Sequence, residues 1–327
     1  MSLLSTHDSL LLDLDGTVWE GGRPINGAVD TINACGIPAV FVTNNASRAP
    51  EEVAQMLRDI DIKTDVDHVL TSAQAAISLA AQQFKAGTKV LVVGAESFRD
   101  LARGAGFDVV SSADDAPEVV LQGLSKELGW KELSEAALAI RGGAAYYVSN
   151  MDTSLPTERG LAVGNGALVQ AVVTSTGVEP TSAGKPGPEM FIQAAKMVGS
   201  AKPLAVGDRL DTDILGGNGA AMDTFHVLTG VSGPLALIEA GEQERPDFIG
   251  QSLCDLSLKR VEAAPGAQGG FTARVDGPDV LLERGDAGAT SIQALRTVLE
   301  VVWALPSPPR YIQPRSDAAE EAVQGWW

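Results

Sequence analysis

Short runs of leucine and β-branched residues alternate along most of the chain with segments whose apolar residues recur every three or four positions. Buried strands read as continuous apolar runs and helices bury one face, so this alternation predicts an α/β fold with a parallel sheet. The runs that predict strands are 9–13, 38–43, 89–94, 117–123, 144–150, 203–208 and 224–228. Helices are predicted from Pro50, over 130–140, over 166–176, after Lys185-Pro186 and from Asp211.

The alternation begins afresh in the middle of the chain and changes again near its end. A chain of 327 residues has room for two domains. We predict that residues 85–178 form an inserted α/β domain and that 1–84 and 179–256 form the core around it. Two strands around a DGPD turn and a helix over 291–305 predict a C-terminal extension, 257–327.

The predicted C-terminal extension leaves two interpretations open. It is either a small appendage packed on the core, which we favour, or a surface for a homodimer. The side chains available for self-association are those of Val298, Val301, Val302 and Trp303. The Pro-rich segment beyond residue 305 is expected to be loosely held apart from its aromatic tip.

Polar residues follow several of the predicted strands directly. The carboxyl ends of parallel strands meet at one edge of a sheet, where ligands of open α/β folds bind, so we expect these residues to meet in space. The four stretches are Asp13-Leu14-Asp15-Gly16-Thr17, Thr43-Asn44-Asn45, Gly184-Lys185-Pro186 and the segment from Gly207 to Asp213. Each alone is more typical of a turn or a helix cap, and the specific signal is all four in this order.

The residue types in these stretches favour a metal-assisted phosphate chemistry. Asp13 and Asp208, with Asp213 nearby, form a carboxylate cluster that cannot fully ionise without a cation, and Mg²⁺ suits oxygen ligands of this number. Lys185 and the Thr43 hydroxyl supply positive charge and hydrogen-bond donors. Together these groups predict a site for a dianionic phosphate ester.

Composition narrows the choice of partners and chemistry. The net charge of −18 argues against nucleic acid and anionic membranes as partners. No apolar run approaches the length of a membrane span. We expect no signal peptide, because Asp8, Asp13 and Asp15 interrupt the only early apolar run. Cys35 and Cys254 lack metal or disulfide spacing, which favours reduced thiols and a cytoplasmic location. Three histidines leave little material for a His-based catalytic triad or a multi-His metal site. Because the sequence has no GxSxG, P-loop or HExxH motif, serine hydrolases, P-loop NTPases and zinc peptidases lose support.

The four stretches together resemble the motifs of the haloacid dehalogenase (HAD) superfamily of phosphatases that use an aspartate nucleophile. The segment between the second and third stretches, together with DILGGNGAAMDTFHVLTG at 213–230, resembles the p-nitrophenylphosphatase branch. The resemblance covers about residues 8–255. It implies a Rossmann-like parallel sheet core with an inserted α/β cap of type C2, which closes over the catalytic edge and reads the leaving group of the substrate.

The resemblance implies a role for each matching residue. Asp13 would attack phosphorus to give an aspartyl-phosphate, and Asp15 would serve as general acid and then general base. Thr43 and the Asn44 backbone N–H, within the Thr43-Asn44-Asn45 stretch, would hold phosphate oxygens, and Lys185 would orient the nucleophile and neutralise charge.

Metal and substrate ligands follow from the same resemblance. Mg²⁺ would bind Asp13, the Asp15 carbonyl and Asp208, with Asp213 in its surroundings. Asn150, Asp152 and Thr153 match the loop of the cap that contacts substrate. Pyridoxal phosphate-selective relatives carry a histidine where this chain has Leu155, which weakens the case for pyridoxal phosphate. Small polar residues at 150–154 fit a polyol phosphate better, so we prefer glycerol 3-phosphate, with phosphoglycolate or pyridoxal phosphate as alternatives.

Other classes share parts of this pattern. A phospho-accepting receiver domain also gathers acidic residues, a threonine and a lysine around Mg²⁺, but it is far shorter and has no acid two residues after the phosphorylated aspartate. A dehalogenase would not need Asp15 or a metal. A phosphomutase would transfer phosphate rather than release it, and sequence alone does not exclude it.

Overall fold

The computed structural model describes residues 2–157 and 159–327. Its strands are β1 Ser9–Leu12, β2 Trp19–Glu20, β3 Arg23–Pro24, β4 Ala39–Thr43, β5 Val69–Thr71, β6 Lys89–Val93, β7 Asp108–Val110, β8 Val119–Gln122, β9 Ala145–Val148, β10 Ser154–Thr157, β11 Gly160–Val163, β12 Thr181–Ser182, β13 Pro203–Gly207, β14 Asp223–Val227, β15 Phe248–Gly250, β16 Phe271–Asp276, β17 Asp279–Arg284 and β18 Ile312–Pro314. Every predicted strand is present, with its bounds changed by one or more residues; β14 is shifted by one residue and most of the others are shorter than predicted.

The helices are likewise close to their predicted positions. They are α1 Ala28–Ala34, α2 Pro50–Asp59, α3 Ser72–Ala81, α4 Glu96–Gly104, α5 Trp130–Arg141, α6 Asn165–Thr176, α7 Glu189–Met197, α8 Leu215–Gly219, α9 Pro234–Glu239, α10 Arg260–Ala263, α11 Ser291–Val302 and α12 Asp317–Ala322. The predicted helix from Asp211 begins instead as a π-helical turn, Leu210–Ile214, that leads into α8.

Helix ends follow local sequence signals. Pro50 occupies the first turn of α2, where its missing N–H is not needed, and acidic residues follow it at the positive end of the helix dipole. A capping box starts α3, in which the Thr71 hydroxyl accepts from the Gln74 N–H and the Gln74 side chain accepts from the Thr71 N–H.

The chain divides into two compact units. The first comprises residues 1–39 and 199–327, and the second comprises 40–198. In the first unit, β1 pairs with β13, β13 with β14 and β14 with β15, all in parallel. All four residues of β1 are buried, as expected for a parallel strand with both faces covered.

The second unit contains the parallel pair β4–β5 and a separate five-stranded sheet in the order β12-β9-β8-β6-β7. All pairs of the five-stranded sheet are parallel. Helices α5 and α6 cover one face through an apolar cluster that includes Val120, Tyr146 and Val172. This sheet runs through most of the predicted insertion and ends at β12, a few residues beyond the predicted boundary at 178, and the division into core and cap stays a prediction.

The C-terminal segment contains more structure than the predicted strand pair and helix. Strands β16 and β17 pair antiparallel around the DGPD turn, and β18 adds a third, parallel strand. Helices α11 and α12 pack on this sheet. The expectation that the Pro-rich end is loosely held is wrong, because β18 and α12 belong to one apolar cluster with α11. The buried Trp326 lies in the same cluster, in agreement with the expectation that the aromatic tip is held.

The side chains considered for self-association are used within the chain. Val298 and Val302 are buried in this cluster with Leu237 and Ile249 of the first unit, and Val301 and Trp303 pack against it. The Trp303 indole N–H also donates to the Leu237 carbonyl oxygen at 2.9 Å. These contacts favour the docked appendage and leave no exposed stripe of these four residues for a homodimer.

The part of the chain that the structure describes contains no helix long and apolar enough to cross a membrane.

The two terminal tryptophans allow a matched test of the C-terminal packing. Trp326 is 3% exposed and its indole N–H donates to the Ser291 hydroxyl, whereas Trp327 is 65% exposed. We expect Trp326→Ala to lower the free energy of unfolding by about 3 kcal/mol, because it leaves a cavity and a hydroxyl without its partner. Trp327→Ala should change it by about 0.5 kcal/mol or less. Urea unfolding followed by circular dichroism measures both, and equal effects would contradict this packing.

Candidate active site

A cluster of three carboxylates lies at one end of the sheet in the first unit. Leu12 of β1 is the register partner of Val206 of β13, so Asp13 and Asp208 leave neighbouring strands at the same end. The Asp13 N–H donates to the Val206 carbonyl at 2.9 Å and continues the ladder by one bond. One oxygen of each of Asp13, Asp208 and Asp213 lies within 4.8 Å of the others. Asp208 and Asp213 are buried.

Close backbone approaches hold the Asp208 carboxylate in place. The Val231 N–H donates to Asp208 Oδ2 at 2.6 Å, and the Thr17 hydroxyl lies 3.5 Å from Oδ1. A Cβ atom on Gly16 would lie 2.5 Å from Asp208 Oδ2, and one on Gly230 would overlap the same carboxylate. Any side chain at position 16 or 230 would overlap the Asp208 carboxylate, so both positions require glycine.

The π-helical turn Leu210–Ile214 brings Asp213 back toward the strand end. Its Oδ2 accepts from the Arg209 N–H at 3.1 Å, and a Cβ on Gly207 would overlap its side chain. Three carboxylates this close would repel one another strongly if all were ionised, so the donor set fits a divalent cation with a preference for oxygen ligands. Asp13, Asp208 and Asp213 are thus brought together as the sequence predicts, and whether Asp213 touches the metal directly stays open.

Sequence reasoning missed the loop after β14. The Thr229 hydroxyl donates to the Gly16 carbonyl at 2.6 Å, and the Leu210 N–H donates to the Ser232 hydroxyl at 3.1 Å. With Gly230 and Val231, this loop, residues 229–232, surrounds Asp208. The signal was available, because β14 ends directly before the loop as β1 and β13 end before their aspartates.

Asp15 differs from the buried carboxylates in its exposure to solvent. Its side chain accepts from the Trp19 indole N–H at 3.0 Å, and the Gly16 N–H donates to the Trp19 carbonyl at 2.7 Å. This turn places a solvent-accessible carboxyl group two residues after Asp13, as a general acid and base requires. The role itself stays a prediction.

The remaining predicted site residues gather in the second unit. Thr43 ends β4, and its hydroxyl oxygen accepts from the Asn45 N–H at 3.1 Å. Lys185 is buried, and its Nζ donates to the Val42 carbonyl at 3.2 Å. The Asn44 side chain hydrogen-bonds to the Lys185 main chain at both its N–H, 2.9 Å, and its carbonyl, 3.1 Å.

The predicted substrate loop lies beside these groups within the same unit. The Asn150 side chain donates to the Asn44 carbonyl at 2.7 Å, and Asp152 Oδ2 accepts from the Asn44 side chain at 3.2 Å. Thr153 is exposed. The Asn45 side chain accepts from the Ser47 N–H at 2.9 Å and so stabilises its own turn. The side chains of Asn45 and Asn150 therefore have structural partners, and their predicted substrate contacts stay untested.

One buried histidine adjoins the loop after β14. Burial lowers the pKa of His226 to about 4, although its hydrogen bond to the Ser232 carbonyl and the negative charge of Asp213 act in the opposite direction. Its Nε2 lies 2.8 Å from that carbonyl oxygen, which assigns the ring proton to Nε2. Nδ1 is buried without a hydrogen-bond partner among the described residues. His226 is therefore neutral at physiological pH.

Comparison with known families matches both halves of the predicted core. The haloacid dehalogenase-like hydrolase family matches residues 10–108, and a HAD-hydrolase-like family matches 182–256. D-glycerol 3-phosphate phosphatase of Mycobacterium tuberculosis is 40% identical over 339 aligned residues, which cover 99% of this chain and 95% of that protein. An acid sugar phosphatase of Staphylococcus aureus is 38% identical over an alignment that covers 70% of this chain and 89% of that protein.

Solved structures agree with these matches. The crystal structure of the M. tuberculosis glycerol phosphate phosphatase with magnesium has a TM-score of 0.95 at 40% identity and covers 99% of this chain and 98% of its own. A thermostable NPPase double mutant from Geobacillus stearothermophilus has a TM-score of 0.69 at 35% identity, covering 77% of this chain and 98% of its own. The chain belongs to the haloacid dehalogenase-like hydrolases. These matches confirm the predicted fold class and enzyme class, that of a phosphatase.

Two glycines with the same backbone strain test the carboxylate cluster. Gly16 and Gly22 have φ of +84° and +82°, but no described atom lies within 4 Å of a Cβ on Gly22. Both Gly→Ala changes should destabilise the protein by about 1 kcal/mol through backbone strain. Only Gly16→Ala displaces the Asp208 carboxylate, and we expect it to weaken Mg²⁺ binding by about tenfold or more in titration calorimetry. Equal Mg²⁺ affinity in the two variants would contradict this arrangement.

The pKa of His226 predicts a pH dependence of stability. The unfolded chain binds a proton near pH 6.5 and the folded chain only near pH 4, so stability falls as pH decreases through this window, by roughly 3 kcal/mol in total. In His226→Gln, whose amide can still donate to the Ser232 carbonyl, this part of the decrease should vanish. Urea midpoints measured in EDTA between pH 7 and 4 test it. A pH dependence of the urea midpoint in His226→Gln equal to that of the wild type would contradict this origin of the decrease.

Proposed function

We propose that this protein is a Mg²⁺-dependent phosphatase that hydrolyses glycerol 3-phosphate to glycerol and inorganic phosphate through an aspartyl-phosphate on Asp13. The observation that carries the substrate is the alignment to the D-glycerol 3-phosphate phosphatase over 99% of this chain. That alignment includes the C-terminal extension, which lies beyond the family match ending at residue 256. The acid sugar phosphatase aligns with 70% of the chain only.

Asp13 is the proposed nucleophile. A carboxylate oxygen of Asp13 forms a bond to phosphorus while the bond from phosphorus to the glycerol oxygen breaks, and the proton of the Asp15 carboxyl group goes to the departing oxygen. Asp15, now ionised, takes a proton from water as that water attacks the aspartyl-phosphate. Phosphate is released and Asp13 is regenerated. Placement of Asp13 on the end of a buried strand limits its motion and so favours in-line attack.

The proposed cofactor is Mg²⁺, held by the Asp13 and Asp208 carboxylates and the Asp15 carbonyl, with Asp213 beside it. When bound, the ion neutralises the carboxylates and the charge that develops on the phosphoryl oxygens. The fit rests on three carboxylates within 4.8 Å and on the glycines that leave them room. A protein with a net charge of −18 needs such local positive charge to bind an anion.

The phosphate oxygens of the substrate are proposed to bind Thr43, Asn44 and Lys185, which lie in the second unit. Lys185 supplies a fixed positive charge, and the Thr43 hydroxyl and the backbone N–H group of Asn44 supply donors. Burial of Lys185 supports this role, because a cation removed from water interacts more strongly with an anion than an exposed one does.

The alcohol part of the ester is proposed to meet the loop that carries Asp152 and Thr153. A carboxylate and a hydroxyl suit a leaving group with hydroxyls of its own, as glycerol has. The side chain at position 155 is leucine, which offers no donor to a phosphopyridoxal ring. Phosphoglycolate carries a carboxylate in addition to its phosphate, and the Asp152 carboxylate would repel it.

A cytoplasmic location is part of the proposal and is supported by two free thiols, Cys35 and Cys254. The proposed partner is the small phosphate ester alone. We do not propose a homodimer through Val298 or Val302, since both side chains are buried within the chain.

A phosphate-release assay tests the function. Glycerol 3-phosphate, phosphoglycolate, pyridoxal phosphate and sugar phosphates are compared with Mg²⁺ and with EDTA, and we expect the highest kcat/KM for glycerol 3-phosphate with Mg²⁺ and no turnover in EDTA. Asp13→Asn should reduce kcat by roughly 10⁴-fold or more.

Four results would count against the proposal. Turnover that persists in EDTA or in Asp13→Asn would overturn the mechanism. Similar kcat/KM values across the panel would overturn the substrate. A single phosphorylation without turnover would identify a receiver-type domain, and an isomerised phosphate ester without phosphate release would identify a mutase.

A further inference from the structure

The side-chain amide of Asn44 makes hydrogen bonds in two directions within the second unit. Its Oδ1 accepts from the Lys185 N–H at 2.9 Å, and its Nδ2 donates to the Lys185 carbonyl at 3.1 Å. The same Nδ2 donates to Asp152 Oδ2 at 3.2 Å. One amide group therefore contacts both the proposed phosphate-binding lysine and the proposed substrate loop, which are far apart in sequence.

The main chain of Asn44 is fixed independently of its side chain. Its carbonyl oxygen accepts from the Ser72 hydroxyl at 2.6 Å, at the start of α3, and from the Asn150 side chain at 2.7 Å. The Asn150 carbonyl in turn accepts from the buried Asn165 side chain at 2.8 Å. A residue anchored on both sides in this way can transmit its position to the groups it binds.

Close packing around Lys185 leaves little alternative to this geometry. A Cβ on Gly184 would lie 2.5 Å from the Ser149 carbonyl oxygen and 2.9 Å from Asn44 Oδ1. The chain before the lysine therefore runs directly against both the substrate loop and the Asn44 amide. The Lys185 ammonium group is held at its other end by the Val42 carbonyl.

We propose that the Asn44 side chain is a positioning residue that fixes Lys185 and Asp152 relative to each other. The proposal rests on the function proposed above, in which Lys185 binds the phosphoryl group and Asp152 faces the alcohol. The role assigned to Asn44 by family resemblance uses only its backbone N–H, which leaves the amide free for this second task.

Asparagine is the side chain that this position requires. The main chain of Lys185 offers both an N–H and a carbonyl, and the Asp152 side chain offers only acceptors. The side chain at position 44 therefore needs one acceptor and two donors. Aspartate at position 44 would keep the acceptor and lose both donors, and it would place a second negative charge against Asp152. Alanine would lose all three contacts.

The first experiment compares Asn44→Ala with Gln74→Ala. Gln74 closes the capping box of α3 in the same unit and has no role in the proposed site, so it controls for loss of stability. With Mg²⁺, Asn44→Ala should lower kcat at least tenfold on both glycerol 3-phosphate and p-nitrophenyl phosphate. It should raise KM severalfold on glycerol 3-phosphate alone, because only that leaving group has hydroxyls. Kinetics equal to those of Gln74→Ala would overturn the proposal.

The second experiment uses the conservative exchange and its rescue. Asn44→Asp should show the same loss, and the double variant Asn44→Asp with Asp152→Asn should recover the KM for glycerol 3-phosphate, because a donor again faces an acceptor between the two positions. Its kcat should stay low, since the donor to the Lys185 carbonyl is still missing. A double variant with the same KM as Asn44→Asp would show that the two residues are not coupled.

Amide hydrogen exchange gives a test that does not need turnover. In Asn44→Ala we expect faster exchange in both 149–153 and 183–187, and in Gln74→Ala only near the start of α3. Unchanged exchange in either segment would refute the proposal even in an inactive protein. Failure of the wild-type chain to hydrolyse any ester would instead refute the proposed function, so the two failures are distinguishable.

Discussion

The constraint on which the site in the first unit depends is the electrostatic repulsion among three aspartate carboxylates. They lie at the end of the buried parallel strands β1 and β13. Asp208 and Asp213 are buried and have an oxygen each within 4.8 Å of one on Asp13. Burial raises the free energy of each charge and proximity raises it further, so the cluster is stable in its ionised form only with a cation among the oxygens. This one constraint explains why a strand of three leucines ends in a carboxylate, and why glycines stand where any side chain would displace the acids.

The surrounding backbone serves the same carboxylates. N–H groups of Val231 and Arg209 donate to Asp208 and Asp213, and the Thr229 hydroxyl holds the Gly16 carbonyl. Such outer contacts fix the orientation of metal ligands, and their loss typically lowers metal affinity or activity by roughly 10- to 100-fold. Hydrogen bonds from a rigid main chain also lower the entropic cost of holding like charges together.

In the second unit, the contacts restrain the flexible side chain of a cation, Lys185. A lysine side chain has four rotatable bonds, and its value in phosphoryl transfer depends on where the ammonium group is held. Burial, the Val42 carbonyl and the Asn44 amide restrain Lys185 at both ends. Because Asn44 also binds Asp152, the same restraint extends to the loop proposed to recognise the alcohol.

The sequence by itself determined the positions of the strands and helices that apolar periodicity marks, and the placing of Asp13 and Asp208 directly after strands with Asp213 nearby. These features depend on that periodicity and on the parallel order of an α/β sheet. It also determined the family, through four short motifs in one order. Only the tertiary structure decided that β18 and α12 pack into the C-terminal apolar cluster, that residues 229–232 enclose Asp208, and that the Asn44 side chain binds Lys185 and Asp152. Each of these contacts joins residues distant along the chain, and its geometry is set by the positions of whole elements, which no local pattern encodes.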